Sequence, residues 1–312
     1  MDPNPPPGRK PGPAMTGASP IAPPADTTAM FEAMTPRYAE LTGQVAVVTG
    51  AAKGIGHGIA TRLAAEGMRV VAADIDEQSL AAMANSLRDL GATVLEVSGD
   101  LSQSEDIDAL FETTMEAFGT VDVLVNNAAD LHRRRLLDEH DGLLDLQLAT
   151  NVVGPYRCSQ RAAAIMRDSG GGSIVHISSV GAIRAHHRGF PYDITKGAIN
   201  AMTLAMAIDL GSYGIRVNAI GPGITHTYRT DAYAQRDPAS YQTTSERIPL
   251  GRWGTISDIG AMVAFLVSPE AGYVTGQVIY VDGGITAQLS PQGTEGLEGG
   301  DRADPDRIRK DG

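Results

Sequence analysis

The chain carries a single cysteine, Cys158. One thiol excludes an internal disulfide and any multi-cysteine metal site, and it fits a reducing cytosol. A nucleophilic role would need a partnering base and electropositive surroundings, so Cys158 is expected to be a small buried hydrophobe on a helix. Long apolar runs are also missing: the longest candidate, 259–267, falls well short of the roughly 20 residues that a membrane helix requires. The N-terminus lacks the apolar core of a signal peptide, which makes the cytoplasm the expected setting. Positive charge is scarce. Lys and Arg number 25 against 37 Asp and Glu, and the resulting net charge of -12 repels a phosphate backbone on average, so nucleic acid is a poor partner. No metal is expected, because no carboxylate or third histidine is grouped with His186 and His187.

What is present is enough for one large α/β core: 312 residues, 42% of them apolar. Ten of the eighteen prolines fall within the first 36 residues, among Gly, Ser and Ala that offer no packed face. The expected organisation is a disordered Pro-rich tail over 1–40, a single domain over 41–288, and a disordered charged tail over 289–312. Inside the domain, short β-branched runs alternate with longer helical patterns. The strands expected are 45–49, 69–74, 93–98, 121–126, 173–178, 215–220 and 277–281. Runs such as Val45-Ala46-Val47-Val48 are apolar at successive positions, as strands must be when helices cover both faces of a parallel sheet. The pattern predicts a doubly wound, seven-stranded Rossmann sheet.

The first strand ends in Thr49-Gly50-Ala51-Ala52-Lys53-Gly54-Ile55-Gly56 and leads into a helix expected from near His57. A glycine-rich turn there offers backbone N–H groups and the positive end of a helix dipole to a pyrophosphate. Gly50 permits the tight turn, Gly54 lets phosphates approach the backbone, and Gly56 lets helix and strand pack closely. Asp74 closes the second strand, where a carboxylate accepts hydrogen bonds from adenosine ribose hydroxyls and repels a 2′-phosphate. That favours NAD over NADP. Lys53 argues the other way if its ammonium pairs with such a phosphate, and is neutral in the argument if it is a solvated loop residue. Asp100 is placed either to accept from the adenine amino group, with Leu101 on the ring, or to cap the following helix.

Several motifs occur in order: Thr49 to Gly56, Asn126-Asn127-Ala128, Asn151, Ser179, Tyr192-x-x-x-Lys196, Pro222-Gly223 and Asp282-Gly283-Gly284. Over about 41–287 the chain thereby resembles the short-chain dehydrogenase/reductase family. The resemblance implies a nicotinamide cofactor, NAD with NADP as the alternative, and a homotetramer or homodimer built through the helices holding Asn151 and Tyr192. It implies that Ser179 holds the substrate oxygen and that the Asn151 backbone carbonyl holds a water linking Lys196 to solvent. It also puts Ile55, Asn127, Pro222, Gly223, Ile224 and Thr227 beside the cofactor, with Lys196 on the nicotinamide ribose. Two departures stand out: Ala129 replaces the usual glycine after Asn126-Asn127-Ala128, and Ile194 replaces a small residue before Lys196. Ile194 is expected to pack inward.

Tyr192 and Lys196 are four apart, so one helix face carries both. A phenol with an ordinary pKa of about 10 is a poor base at neutral pH, but a nearby ammonium and an oxidised nicotinamide both favour the phenolate. Tyr192 is therefore the expected acid/base for moving a hydride between the nicotinamide and an alcohol or carbonyl carbon. Strand alternation sends Ser178 and Ser179 to opposite sides, and the family spacing selects Ser179. Substrate choice is expected to lie in 184–190 and in a lid over 226–249, whose Tyr228, Arg229, Tyr233, Arg236, Tyr241 and Arg247 either suit a polar, anionic small molecule or simply decorate a surface helix. Three functions remain open: an NAD-dependent alcohol dehydrogenase, an NADPH-dependent ketone or 3-oxoacyl reductase, and a dinucleotide-binding regulator without turnover.

Overall fold

The computed structural model describes residues 26–138 and 142–288, so the expectations for 1–25 and 289–312 lie outside the described residues. Nine strands appear in chain order: β1 Val45–Thr49, β2 Arg69–Asp74, β3 Val94–Ser98, β4 Val123–Asn126, β5 Arg133–Arg134, β6 Gly172–Ile177, β7 Phe190–Pro191, β8 Ile215–Pro222 and β9 Val278–Val281. Seven form one parallel sheet in the order β3-β2-β1-β4-β6-β8-β9, and β5 pairs with β7 in a two-residue antiparallel ribbon. The winding direction reverses between β1 and β4. The carboxyl ends of the strands at such a reversal are where doubly wound sheets bind ligands.

The helices are α1 Thr27–Glu32, α2 Gly54–Ala65, α3 Glu77–Asp89, α4 Ser104–Phe118, α5 Leu143–Leu148, α6 Gly154–Ser169, α7 Tyr192–Leu210, α8 Tyr228–Arg236, α9 Pro238–Glu246 and α10 Ile256–Val267. All five residues of β1 are buried, because each face of the sheet has its own core. One core holds Leu63, Leu80, Leu87 and Val263 from α2, α3 and α10; the other holds Leu110, Phe111, Met166 and Ala207 from α4, α6 and α7. Helices α2 and α10 cross at glycines. A Cβ at Gly58 would lie 2.6 Å from Ile256 Cβ, and one at Gly260 would lie 2.9 Å from the Gly58 carbonyl oxygen.

Two expectations change. The tail expected over 1–40 does not extend that far: α1 is capped by Asp26, Phe31 packs against the first core, and the Arg37 and Tyr38 amides donate to Glu66 Oε2. One docked aromatic and one buried carboxylate order a stretch that has no periodicity of its own. Helix α2 begins at Gly54 rather than near His57, so the last two glycines of the turn belong to its first turn.

Candidate active site

At the nucleotide end the backbone does the positioning. Gly50 has φ 64° and Gly54 φ 60°, both in the left-handed region that favours glycine. A Cβ at Gly56 would lie 2.0 Å from the Gly50 carbonyl oxygen, so helix and turn touch directly. Asn127 braces the turn: its amide donates to Thr49 Oγ1, and its Nδ2 donates to the carbonyls of Thr49 and Gly50, each at 2.9 Å. No side chain caps α2 at Lys53, and a Cβ at Gly54 would meet nothing closer than Thr227 Cγ2 at 3.6 Å. An uncapped helix N-terminus facing an open glycine is a cradle that fits a pyrophosphate. Pro222 ends β8, and Gly223 lies so near Asp282 that a Cβ there would come within 2.7 Å of its Cα. Ile55 packs partly against the first core, and Ile224 against a small cluster under the lid.

The acidic residues around the cradle have definite partners. Asp74 accepts from Ala52 N at 2.9 Å and from Asp76 N at 3.0 Å, which holds its carboxylate beside the turn. Lys53 Nζ lies 2.6 Å from Asp76 Oδ2 and 5.7 Å from the centre of the Tyr228 ring. That contact keeps the Asp76 carboxyl down at about 2 and holds the ammonium above its usual range. Lys53 is thus neither simply solvated nor unengaged. Asp100 accepts from Ser102 N at 2.9 Å in a local turn and does not cap α4, whose N-cap position is Gln103 and carries no side-chain cap bond. Leu101 is buried in the second core.

At the other end Tyr192 opens α7, buried, with Lys196 one turn later. The Lys196 Nζ is 5.6 Å from the centre of the Tyr192 ring and donates to the Ile177 carbonyl at 2.8 Å. Ser179 hydrogen-bonds to Tyr192 through the side chains, and its oxygen also accepts from Gly181 N. Ser178 instead donates to Asn200 Oδ1 at 2.6 Å. Asn151 lies in a π-helical segment, Ala149–Val153, that interrupts the run from α5 into α6. Its side chain accepts from Asp130 N at 2.7 Å and donates to Thr195 Oγ1, which in turn donates to the Tyr192 carbonyl. Asn151 therefore ties the loop after β4 to the first turn of α7.

The electrostatics differ from the sequence expectation. Burial raises the Tyr192 pKa, and the charge that opposes this is Arg133, followed by the Ser179 hydrogen bond. The Arg133 guanidinium carbon sits 4.7 Å from the centre of the Tyr192 ring. Lys196, expected from the sequence to make the phenol more acidic, is itself pushed down to about 8 by burial. Burial wins over Arg133 in the ligand-free chain. Behind them, His176 on β6 meets Asn126 Nδ2 at 3.2 Å, and burial with the Lys196 charge holds it neutral at about 4.

Two further expectations are corrected. Ile194 is 48% exposed on α7 and does not pack inward, because the inner positions of that turn belong to Tyr192, Thr195 and Lys196. His186 does have a carboxylate beside it: Asp193 Oδ1 lies 2.7 Å from its Nδ1 and Oδ2 accepts from its amide, which fastens the 180–190 loop to α7. Of the six lid side chains, Tyr228, Arg229, Tyr233, Arg236 and Arg247 are exposed as on a surface helix, and only Tyr241 packs inward, ring to ring with His226 and Trp253 at 4.7–6.0 Å. Cys158 is buried, with its thiol pushed up to about 12. Sequence reasoning missed Arg133; the signal available was the Arg133-Arg134-Arg135 run shortly after Asn126-Asn127-Ala128.

A family described as enoyl-(acyl carrier protein) reductase matches residues 50–286. The short-chain reductase protein NovJ of Streptomyces niveus is 40% identical over 77% of this chain and 93% of its own length. The chain belongs to the short-chain dehydrogenase/reductase family. The L-fucose dehydrogenase of Oryctolagus cuniculus is 38% identical over 82% of this chain and 88% of its own. Among solved short-chain dehydrogenases/reductases, the L-sorbose reductase of Gluconobacter frateurii, complexed with NADPH and L-sorbose, superposes with a TM-score of 0.76 at 30% identity, covering 80% of this chain and 98% of that one. As a member of the family, the chain is an NAD(P)-dependent oxidoreductase acting on CH–OH groups. Among the described residues no helix is long and apolar enough to cross a membrane.

Proposed function

We propose that this oxidoreductase interconverts a secondary alcohol and a ketone of a polar small metabolite with NAD(H), using Tyr192 as acid and base. The observation that carries the reading is the convergence on one buried phenol of the Ser179 hydroxyl and the Lys196 ammonium, beside a glycine cradle suited to a dinucleotide. When bound, the nicotinamide supplies the hydride acceptor or donor. Ser179 holds the substrate oxygen, and Tyr192 takes the hydroxyl proton in oxidation or returns it in reduction. Lys196 holds the nicotinamide ribose, and the Asn151 carbonyl completes the proton path. Asn151 also fixes where Tyr192 begins its helix, through Thr195.

NAD is preferred in this reading because the Asp74 carboxylate is held beside the turn while Asp76 neutralises Lys53, the cation that a 2′-phosphate would need. The NADPH in the L-sorbose reductase complex favours the second reading, an NADPH-dependent ketone or 3-oxoacyl reductase. Tyr156, Ile194, Leu204 and Ile208 are exposed on α6 and α7 and support assembly through these helices as a homotetramer or homodimer. The inert thiol of Cys158 suits the cytoplasm. The test is an alcohol and ketone panel run with both nucleotides, followed by nicotinamide absorbance. Tyr192→Phe is expected to lose at least about 1,000-fold in kcat while NADH binding stays near wild type. Full activity in that variant overturns the assignment of the acid/base, and tight NADH binding without any turnover favours the regulator.

A further inference from the structure

The loop after β4 brings a second cation to the tyrosine that the family motif does not contain. Arg133 is fixed by the ribbon in which it pairs with Pro191, the residue immediately before Tyr192. Its guanidinium lies over the ring at 4.7 Å, and its charge acts on the tyrosine. Three acids among the described residues on the neighbouring segments have other partners: Asp130 is held by Gln147 Nε2 at 2.6 Å and His132 Nδ1 at 2.8 Å, Asp193 by His186, and Asp138 by the Arg135 amide. Arg134 turns back and donates to the Arg133 carbonyl. Among the described residues no ion pair reaches the Arg133 guanidinium. A half-buried guanidinium is a rigid fork of five donors matched to a planar carboxylate, and one contact to a phenol leaves most of that fork unused.

We infer that Arg133 binds the carboxylate of the substrate, so that the enzyme acts on hydroxy acids and oxo acids whose reacting carbon is close to the carboxylate. The inference rests on Tyr192 being the acid/base. Ordinary hydrogen-bond lengths put a carboxylate on the remaining N–H groups roughly 4–5 Å from a substrate oxygen held by the tyrosine, which spans a 2-hydroxy or 3-hydroxy acid and little more. The reaction balances without a further reagent. In oxidation the carbinol C–H bond breaks as hydride passes to NAD, the O–H proton passes to Tyr192, a C=O bond forms, and the carboxylate is unchanged.

The test compares 2-hydroxy and 3-hydroxy acids of three to eight carbons with their methyl esters, in wild type, Arg133→Gln and Arg133→Lys, by steady-state kcat and KM with NAD. Wild type is expected to prefer acids, and Arg133→Gln to lose about 30-fold or more in kcat/KM on acids beyond its loss on esters, chiefly through KM. Arg133→Lys recovers part of the acid preference. Esters that match their acids in wild type, or equal losses on acid and ester in Arg133→Gln, overturn the assignment while leaving hydride transfer intact. Calorimetry of butyrate and butyramide on the NADH-loaded protein reads the site without turnover. Butyrate binding that Arg133→Gln removes supports the carboxylate site even if Tyr192→Phe shows that the acid/base lies elsewhere, and equal binding of both probes counts against it.

Discussion

Around the glycine turn the backbone itself is the working part, whereas around Tyr192 side chains are held in place by other side chains. In the first region Gly56 touches the Gly50 carbonyl and Asn127 bonds two successive carbonyls, so the shape is fixed within one strand–turn–helix unit and one brace. In the second, Asn151 reaches Tyr192 only through Thr195, Asp193 is spent on His186, and Arg133 arrives on a two-residue ribbon. The contrast teaches how the fold divides its tasks. A pyrophosphate is a constant ligand that fixed amides can serve, while substrate recognition sits on replaceable side chains carried by loops.

The comparison breaks most sharply at Gly56. A methyl group there would stand 2.0 Å from a carbonyl oxygen and 2.5 Å from Asn127 Nδ2, so either the helix or the turn must move. Gly56→Ala is expected to cost roughly 3 kcal/mol or more of stability, or to weaken NADH binding by about 100-fold if the turn gives way instead. Thermal unfolding with and without NADH separates the two. A variant that binds NADH like wild type with unchanged melting would show that the turn is softer than its packing implies.

The first region is largely legible from sequence because its contacts are local. The strand β1, the three glycines and Asp74 follow one another in a single βαβ stretch, and periodicity plus turn chemistry is enough to place them. The pairing of Tyr192 with Lys196 is legible for the same reason, being one turn of helix. Arg133 and Tyr192 are far apart in the chain and meet through a ribbon too short to leave a period-2 pattern. The acid beside His186 is hidden by the loop that brings Asp193 back to it. The Tyr192 shift has the opposite sign to the sequence expectation because burial, which no local pattern displays, outweighs the Arg133 charge. The order of this N-terminal stretch depends on Phe31 packing against the first core and on Glu66 accepting from the Arg37 and Tyr38 amides, both contacts across elements, so composition alone extends the tail too far.

A smaller effect sharpens the nucleotide side. A carboxylate about 4 Å from a 2′-phosphate costs about 1 kcal/mol in water and several times that near a protein surface. Asp74→Ala is therefore expected to shift the NADP:NAD ratio of kcat/KM upward by about 10-fold or more, although it also removes the two backbone bonds that Asp74 accepts. Asp74→Asn retains a partner for one of those bonds, and a shift in both variants ties the preference to charge. An unchanged ratio in both would move nucleotide choice to Lys53 and Asp76, whose contact at 2.6 Å is the other charged feature of the rim.

The last expected change lies at the catalytic end and concerns stability. Lys196 is buried with its Nζ donating to one carbonyl, and burial lowers it from 10.5 to about 8. Because the folded value is lowered, the unfolded chain binds more protons between about 8 and 10.5, so the ligand-free protein gains stability as pH rises through that window and lacks that gain below about 8. Replacing the ammonium with a thioether removes the penalty on the acid side. Lys196→Met is accordingly expected to abolish turnover yet raise the melting temperature at pH 7 by roughly 3–8 °C, corresponding to up to about 3 kcal/mol, with the difference from wild type shrinking toward pH 10. Calorimetric melting across that pH range checks it. An equal difference at pH 7 and pH 10 would mean that packing, not the buried charge, separates the two proteins, and would leave no electrostatic penalty at the centre of the more replaceable half of the cleft.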